Sequence, residues 1–219
     1  MALHPCTHAL IVVDLQNDFV SGALAVPGGR EVLPVVNALG KAFSTVALTR
    51  DWHPPDHGSF AASHEGRELF ETIDLNGLPQ CLWPVHCVQG SEGAAFVPGL
   101  EVGGARIFDK GTDPAFDSYS GFYDSGRRQS TGLGEFLNGR GITDVFICGL
   151  ATDYCVKGTA LDAVELGFRT TLIEDAIRGV DVREGDAARA IEEMRRAGVR
   201  ITDSATVLGA SGAPGGGEE

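Results

Sequence analysis

The sequence is short of positive charge: 17 Lys and Arg stand against 30 Asp and Glu, a formal net charge of −13. Such a balance repels phosphate backbones and anionic lipid, so neither nucleic acid nor a membrane surface is expected as a partner. No apolar run approaches the length needed to cross a bilayer. The basic, apolar and cleavage regions of a secretory signal are also missing at the start, where the chain goes directly into a strand. The five cysteines, at positions 6, 81, 87, 148 and 155, are odd in number and include no Cys-x-x-Cys pair. That excludes a regular disulfide framework, a thioredoxin-like motif and a four-cysteine zinc site, and points to a reducing, cytoplasmic setting. Between Gly22 and Gly29 there is no Gly-x-Gly-x-x-Gly following a strand, so no dinucleotide cradle is expected.

What is present is a globular composition, 43% hydrophobic and 21% charged over 219 residues, enough for one full core. We expect one domain over residues 1–208 and a disordered, Gly-rich acidic tail over 209–219. His8 to Val13 is a continuous apolar run, as in a strand covered on both faces. Further strands are expected at Thr45–Thr49, Ala105–Asp109, Asp144–Cys148, Arg169–Ile173 and Val199–Thr202. Helices are expected after Pro27, over about Gly126–Asn138, after Cys155, and after the Asp181-x-x-Glu184 capping pattern. From Arg50 to Gly104 the pattern breaks into loops, with hints of short helices near Arg67–Phe70 and Gly93–Phe96. The alternation of strands and helices predicts an α/β fold with a mainly parallel sheet.

In such a sheet, reactive groups gather beyond the carboxyl ends of the strands. Asp14, Arg50-Asp51, Lys110, Ala151 to Cys155 and Asp175 lie just past the expected strand ends. Cys155 follows a strand and a tight turn and enters a helix, which Thr152 or Asp153 could cap. The positive helix end would favour its thiolate, making it a candidate nucleophile. Asp14 could take and return its proton, and Lys110 could pair with both. Singly, Asp14 reads as a loop cap, Lys110 as a surface charge and Cys155 as core packing. Three suitable groups on one edge favour catalysis. The Leu150-Ala151 turn and the Cys155 helix start could aim two N–H groups at one oxyanion, and a cis peptide there is conceivable. Asp51, His53 and His86 form a set suited to Zn²⁺, Mn²⁺ or Fe²⁺ with open positions, His57 and His64 being spare candidates. Cys81 and Cys87 read as packing. Phe19, Leu24, Trp83, Tyr119 and Phe122 lie in loops that could wall a flat aromatic substrate.

At Val13-Asp14-Leu15-Gln16-Asn17-Asp18-Phe19, Asp51-Trp52-His53-Pro54, Trp83-Pro84-Val85-His86-Cys87-Val88, Lys110-Gly111, Tyr119-Ser120-Gly121-Phe122 and Gly149-Leu150-Ala151-Thr152-Asp153-Tyr154-Cys155-Val156, the chain resembles the nicotinamidases of the isochorismatase-like cysteine hydrolases. The resemblance spans about residues 8–207. It implies a six-stranded parallel sheet with helices on both faces, and hydrolysis of nicotinamide to nicotinate and ammonia through a Cys155 thioester, in NAD salvage. Pyrazinamide would be a second substrate. Asp14, Lys110 and Cys155 would be the triad, and the N–H groups of Ala151 and Cys155 the oxyanion hole. Asp51, His53 and His86 would bind one divalent metal, Zn²⁺ first, with Mn²⁺ or Fe²⁺ as alternatives. The pyridine nitrogen would meet that metal, making its role orientation more than activation of water. His57, Ser59 or water would complete the shell. Phe19 and Trp83 would sandwich the ring, with Leu24 and Tyr119 nearby. A monomer and a homo-oligomer both fit. Two readings compete: a metal-free relative acting on another amide, carbamoyl or ureido compound, and a non-catalytic thiol sensor.

Overall fold

The computed structural model describes residues 3, 4 and 6–209. The chain runs β1 (His8–Val13), α1 (Asn17–Val20), α2 (Leu33–Ala42), β2 (Val46–Asp51), β3 (Thr72–Leu75), β4 (Leu78–Cys81) and β5 (Arg106–Lys110). It continues through α3 (Leu133–Gly139), β6 (Asp144–Leu150), α4 (Lys157–Glu165), β7 (Arg169–Arg178), α5 (Asp186–Arg196), β8 (Arg200–Thr202) and α6 (Ser204–Gly209). Six strands form one sheet in the order β5-β2-β1-β6-β7-β8. Every pairing in it is parallel.

The apolar run of β1 is explained by its place at the centre. All six of its residues are buried. Leu10 and Val12 join Val36, Leu39 and Phe146 in one core cluster. Ala9, Ile11 and Val13 join Leu133, Ala160 and Met194 in the other. Successive side chains point to opposite faces, so a strand between two helical layers must be apolar throughout. Each fully buried Leu or Ile contributes roughly 1.5–3 kcal/mol of transfer free energy.

The chain winds outward from β1 to β2 and β5 on one side, and from β6 to β7 and β8 on the other. The switch point therefore falls between β1 and β6, where a crevice opens beyond the carboxyl ends. There Val13 pairs with Gly149. A Cβ on Gly149, whose φ is +113°, would lie 2.1 Å from the Val13 carbonyl oxygen, so only glycine lets the two strands meet here.

Several expectations are corrected. Residues 67–70 and 93–96 are not helical; the loop region instead holds an antiparallel hairpin, β3–β4. α3 starts at Leu133, because residues 126–132 form a loop in which Arg127 turns to pair with Asp162 and Glu165, both on α4. β7 runs on to Arg178, so Asp175 lies within it and accepts from the Ser204 backbone N–H and hydroxyl rather than joining the site. Of the tail expected at 209–219, Gly209 closes α6 and the remainder lies outside the described residues. Among the described residues, no helix is long and apolar enough to cross a membrane.

Candidate active site

Asp14 leaves β1 in a left-handed conformation, φ +46°, and is fully buried. Thr49 on β2 holds it from both ends: the Asp14 N–H donates to Thr49 Oγ1 at 3.2 Å, and that hydroxyl donates to Asp14 Oδ1 at 2.6 Å. Lys110 ends β5, also buried. Its ammonium lies 2.9 Å from Asp14 Oδ2 and donates to Asp51 Oδ1 at 2.5 Å, to the Ser118 carbonyl at 2.8 Å and to Cys155 Sγ at 3.3 Å. The Asp14 contact is an ion pair without hydrogen-bond alignment, which leaves Oδ2 open toward the thiol. A ligating oxygen of Asp14, one of Asp51 and the Cys155 sulfur lie within 4.8 Å of one another. Three strand ends and one turn, widely separated in sequence, thus converge on one point.

Cys155 sits in a wide π-helical turn, Thr152–Val156, before α4, not in the first turn of an ordinary α-helix. Neither Thr152 nor Asp153 caps it; Ala151 holds that position. Asp153 is drawn away because its carboxylate accepts from the backbone N–H groups of Val180 and Asp181 at 2.9 and 2.8 Å. The Leu150–Ala151 peptide is cis.

The electrostatics also differ from expectation. Burial pushes the Cys155 thiol well above its ordinary pKa, Lys110 opposing and the Asp14 and Asp51 charges adding to the rise. Desolvation outweighs the lysine there, so burial favours the thiol form. Burial raises the Asp14 carboxyl as well, against the pull of Lys110. Burial alone would raise Asp51, but Lys110 and His53 hold it well below the carboxylate range. Burial would lower Lys110, yet Asp14 and Asp51 keep it charged.

Asp51 turns its other oxygen away from the triad. Oδ2 lies 3.6 Å from His53 Nε2 and 3.8 Å from His86 Nε2. His53 Nδ1 donates to the Gly111 carbonyl at 2.9 Å, and His86 Nδ1 donates to the Pro84 carbonyl at 2.8 Å. Those bonds occupy each Nδ1 and leave each Nε2 facing Asp51; against burial, the Asp51 carboxylate raises the His53 pKa, and a bound ion would take the place of that Nε2 proton. His86 is held neutral, pushed down to about 4 by burial and by neighbouring His53. The donor set therefore fits a divalent ion with N and O preference. His57 packs against His53 at 4.3 Å between ring centroids. Its Nδ1 is taken up by the Ser59 hydroxyl at 2.7 Å, while Nε2 is buried with no hydrogen-bond partner. His64 is engaged elsewhere, its Nε2 donating to the Gly58 carbonyl at 2.8 Å.

A narrow cleft opens on Cys155 and on Asp51, His53 and His86. Phe19, Leu24, Asp51, His53, Trp83, His86, Tyr119, Ala151 and Cys155 border it, as the sequence predicts. Trp83 Nε1 donates to the Tyr119 hydroxyl at 3.1 Å, fixing two walls together. Phe122 does not contribute: it is buried in the core beside Leu133 and Phe168. Cys87 is likewise core, and Cys81 lies outside the cavity, its thiol pushed up to about 11 by burial and by Asp117. Sequence reasoning missed Asp117, Ser118, Tyr154 and Val180 on the lining. It also missed Thr49, and Gln16, whose side chain donates to the Asp51 carbonyl at 2.8 Å and accepts from the Asp51 N–H at 2.8 Å. Gln16 and Tyr154 fall inside the quoted motifs; for the others no local pattern marks them.

The isochorismatase domain family matches residues 8–206, and the chain belongs to the isochorismatase-like hydrolases. Within that family its likeness runs to nicotinamidases. It is 48% identical to the nicotinamidase of Escherichia coli over 202 residues, which are 88% of this chain and 93% of that one. The nicotinamidase pyrazinamidase structure from Acinetobacter baumanii is 45% identical with a TM-score of 0.90, covering 93% of this chain and 99% of that one. The pyrazinamidase of Pyrococcus horikoshii, solved in complex with zinc, is 40% identical with a TM-score of 0.74, covering 90% and 98%.

Proposed function

We propose that the protein is a nicotinamide amidohydrolase, releasing nicotinate and ammonia. The observation that carries the reading is the shared cavity. Cys155, backed by the buried Asp14 and Lys110, opens on it, and Asp51, His53 and His86 line it beside the sulfur. A flat ring between Phe19 and Trp83, with Leu24 and Tyr119 alongside, brings a 3-carboxamide toward Cys155.

Asp14 is the residue that moves protons. Its open Oδ2 takes the thiol proton as Sγ attacks the carboxamide carbon, and the C=O electrons move onto oxygen. Lys110 holds the developing thiolate and keeps Asp14 oriented. The N–H groups of Ala151 and Cys155 receive the oxyanion. Asp14 then protonates the departing nitrogen, the C–N bond breaks, ammonia leaves, and a thioester remains. Asp14 next deprotonates a water that attacks the thioester carbon. The C–S bond breaks, nicotinate forms, and the proton returns to the sulfur. Asp51, His53 and His86 would hold a divalent ion, zinc by preference, that supplies a Lewis acid for a ring nitrogen and so orients the substrate. Pyrazinamide has the same ring nitrogen and carboxamide and is expected to be turned over.

Ammonia release from nicotinamide, followed before and after chelation and in Cys155→Ala, tests the reading. We expect activity lost on chelation and restored by zinc, and none in the variant, which still binds nicotinamide. No ammonia from any pyridine carboxamide would overturn the substrate assignment. Full turnover by Cys155→Ala would overturn the mechanism.

A further inference from the structure

The Asp18 carboxylate sits where two loops of the site cross. Its Oδ2 accepts from the Cys87 backbone N–H at 2.7 Å, and its Oδ1 accepts from the Ala23 N–H at 3.1 Å. Its own N–H donates to the Gly93 carbonyl at 3.0 Å, and its carbonyl accepts from the Leu24 N–H at 3.1 Å. Room for the carboxylate exists only because two glycines flank it. A Cβ on Gly93 would lie 2.1 Å from Asp18 Oδ2, and one on Gly22 would lie 2.2 Å from Oδ1.

Cys87 is the unusual partner. It follows His86 directly, and its φ of +46° is a left-handed conformation that non-glycine residues rarely adopt. Its side chain is fully buried in the core, so the conformation cannot be relaxed by turning the residue outward. The Cys87 carbonyl accepts from the His53 N–H at 3.0 Å. One strained residue therefore joins the backbones of His86 and His53, and the Asp18 carboxylate grips its N–H.

We propose that Asp18 is a positioning residue for the metal site: by holding Cys87 left-handed, it sets the His86 and His53 backbones so that both imidazoles face Asp51. The same residue anchors the loop that carries Phe19 and Leu24, so the walls that hold a ring and the groups that hold the ion are fixed from one point. This rests on the reading of Asp51, His53 and His86 as a metal site.

Zinc affinity of the purified full-length chain, measured by competition with a fluorescent chelator, tests it. Asp18→Ala is expected to bind zinc about 10–100-fold more weakly, the usual scale for loss of an outer-shell support. Cys87→Gly placed on that background should recover most of the loss, because glycine takes positive φ without a prop. A residue that served only folding would lower the melting temperature and leave zinc affinity alone, and Cys87→Gly would then restore nothing. Where Asp18→Ala does not fold, Gly93→Ala displaces the same carboxylate without deleting it and carries the same expectation. Zinc affinity within twofold of the parent in the variant examined, or no recovery with Cys87→Gly, overturns the proposal. A parent chain that binds no zinc would instead overturn the metal-site reading beneath it.

Discussion

Replacing Lys110 with methionine removes the one cation at the centre of the site while nearly keeping its volume. Two carboxylates, those of Asp14 and Asp51, then face each other with ligating oxygens within 4.8 Å and no ammonium between them. Two unit charges at that separation repel by about 3.5 kcal/mol at an effective dielectric near 20. Breaking a buried ion pair by deleting one partner typically costs about 3–5 kcal/mol, the same range. We therefore expect Lys110→Met, in the presence of a chelator, to lose about 3–5 kcal/mol of stability at pH 8. The sign of the pH dependence follows from Asp14. Its carboxyl is already raised by burial, with Lys110 opposing. Without Lys110 it rises further. A carboxyl with a folded pKa above its unfolded one favours the fold at low pH, and that contribution is lost as pH rises through the folded value. The deficit of the variant should accordingly shrink by more than about 1 kcal/mol on going from pH 8 to pH 5, one pKa unit being about 1.4 kcal/mol. Urea unfolding of both chains at the two pH values measures it. A deficit under about 1 kcal/mol at pH 8, or one that grows as the pH falls, would refute the charge reasoning.

Gly111→Ala would put a Cβ 2.4 Å from His53 Cε1 at a φ of +62°, so we expect zinc affinity to fall about 10–100-fold as the imidazole is pushed off its carbonyl partner; unchanged affinity in a chelator competition would count against His53 as a ligand. Asp14→Asn should reduce ammonia release by roughly 10²–10⁴. It should also slow alkylation of Cys155 by iodoacetamide at neutral pH, since the carboxylate that takes the thiol proton is gone; unchanged or faster alkylation would contradict that role. Tyr154 borders both the catalytic cavity and an outer groove of about 970 Å³ lined by Phe70, Lys157 and Val182. Tyr154→Ala should raise kcat/KM for ring-substituted pyridine-3-carboxamides at least tenfold relative to nicotinamide, and an unchanged ratio would show that this side chain does not limit substrate size.

The parallel sheet is legible because its central strands obey one physical constraint. β1, covered on both faces, stays apolar until it ends, so the step from Val13 to Asp14 marks a strand end directly; β5 is an edge strand with polar Arg106 and Asp109, and Lys110 is marked only by the apolar Ile107-Phe108 before it. Of the candidate site residues, Asp14, Asp51 and Lys110 lie at strand ends, whereas Cys155 lies in a turn and His86 in a loop. The β3–β4 hairpin has its own signal in Asn76-Gly77, whose φ values of +54° and +90° are those the tight turn needs. It is obscured because β3 and β4 carry few buried residues and so show little apolar contrast. Other features leave no local trace. Asp153 is a good cap by type, but its partners lie 27 and 28 residues away. Thr49 and Asp117 act through contacts that only the assembled fold creates. The burial that raises the Cys155 thiol has no local signal either, since it is a property of the packed molecule.

Asp51 joins the two halves of the site in a way no motif can show. Its Oδ1 takes a hydrogen bond from Lys110 at 2.5 Å, and its Oδ2 faces the two imidazoles at 3.6 and 3.8 Å. Negative charge on that carboxylate is shared between Lys110 and whatever the imidazoles help to hold. A cation bound at Oδ2 draws charge away from Oδ1, so the ammonium has more to give to Asp14 and to the sulfur it touches at 3.3 Å. An ion held there would therefore favour the thiolate in the other half. Coupling of this kind is reciprocal: whatever stabilises the thiolate must tighten the cation to the same degree. A single carboxylate with two faces is sufficient to link them, and a histidine at the end of β2 would offer Lys110 no negative charge.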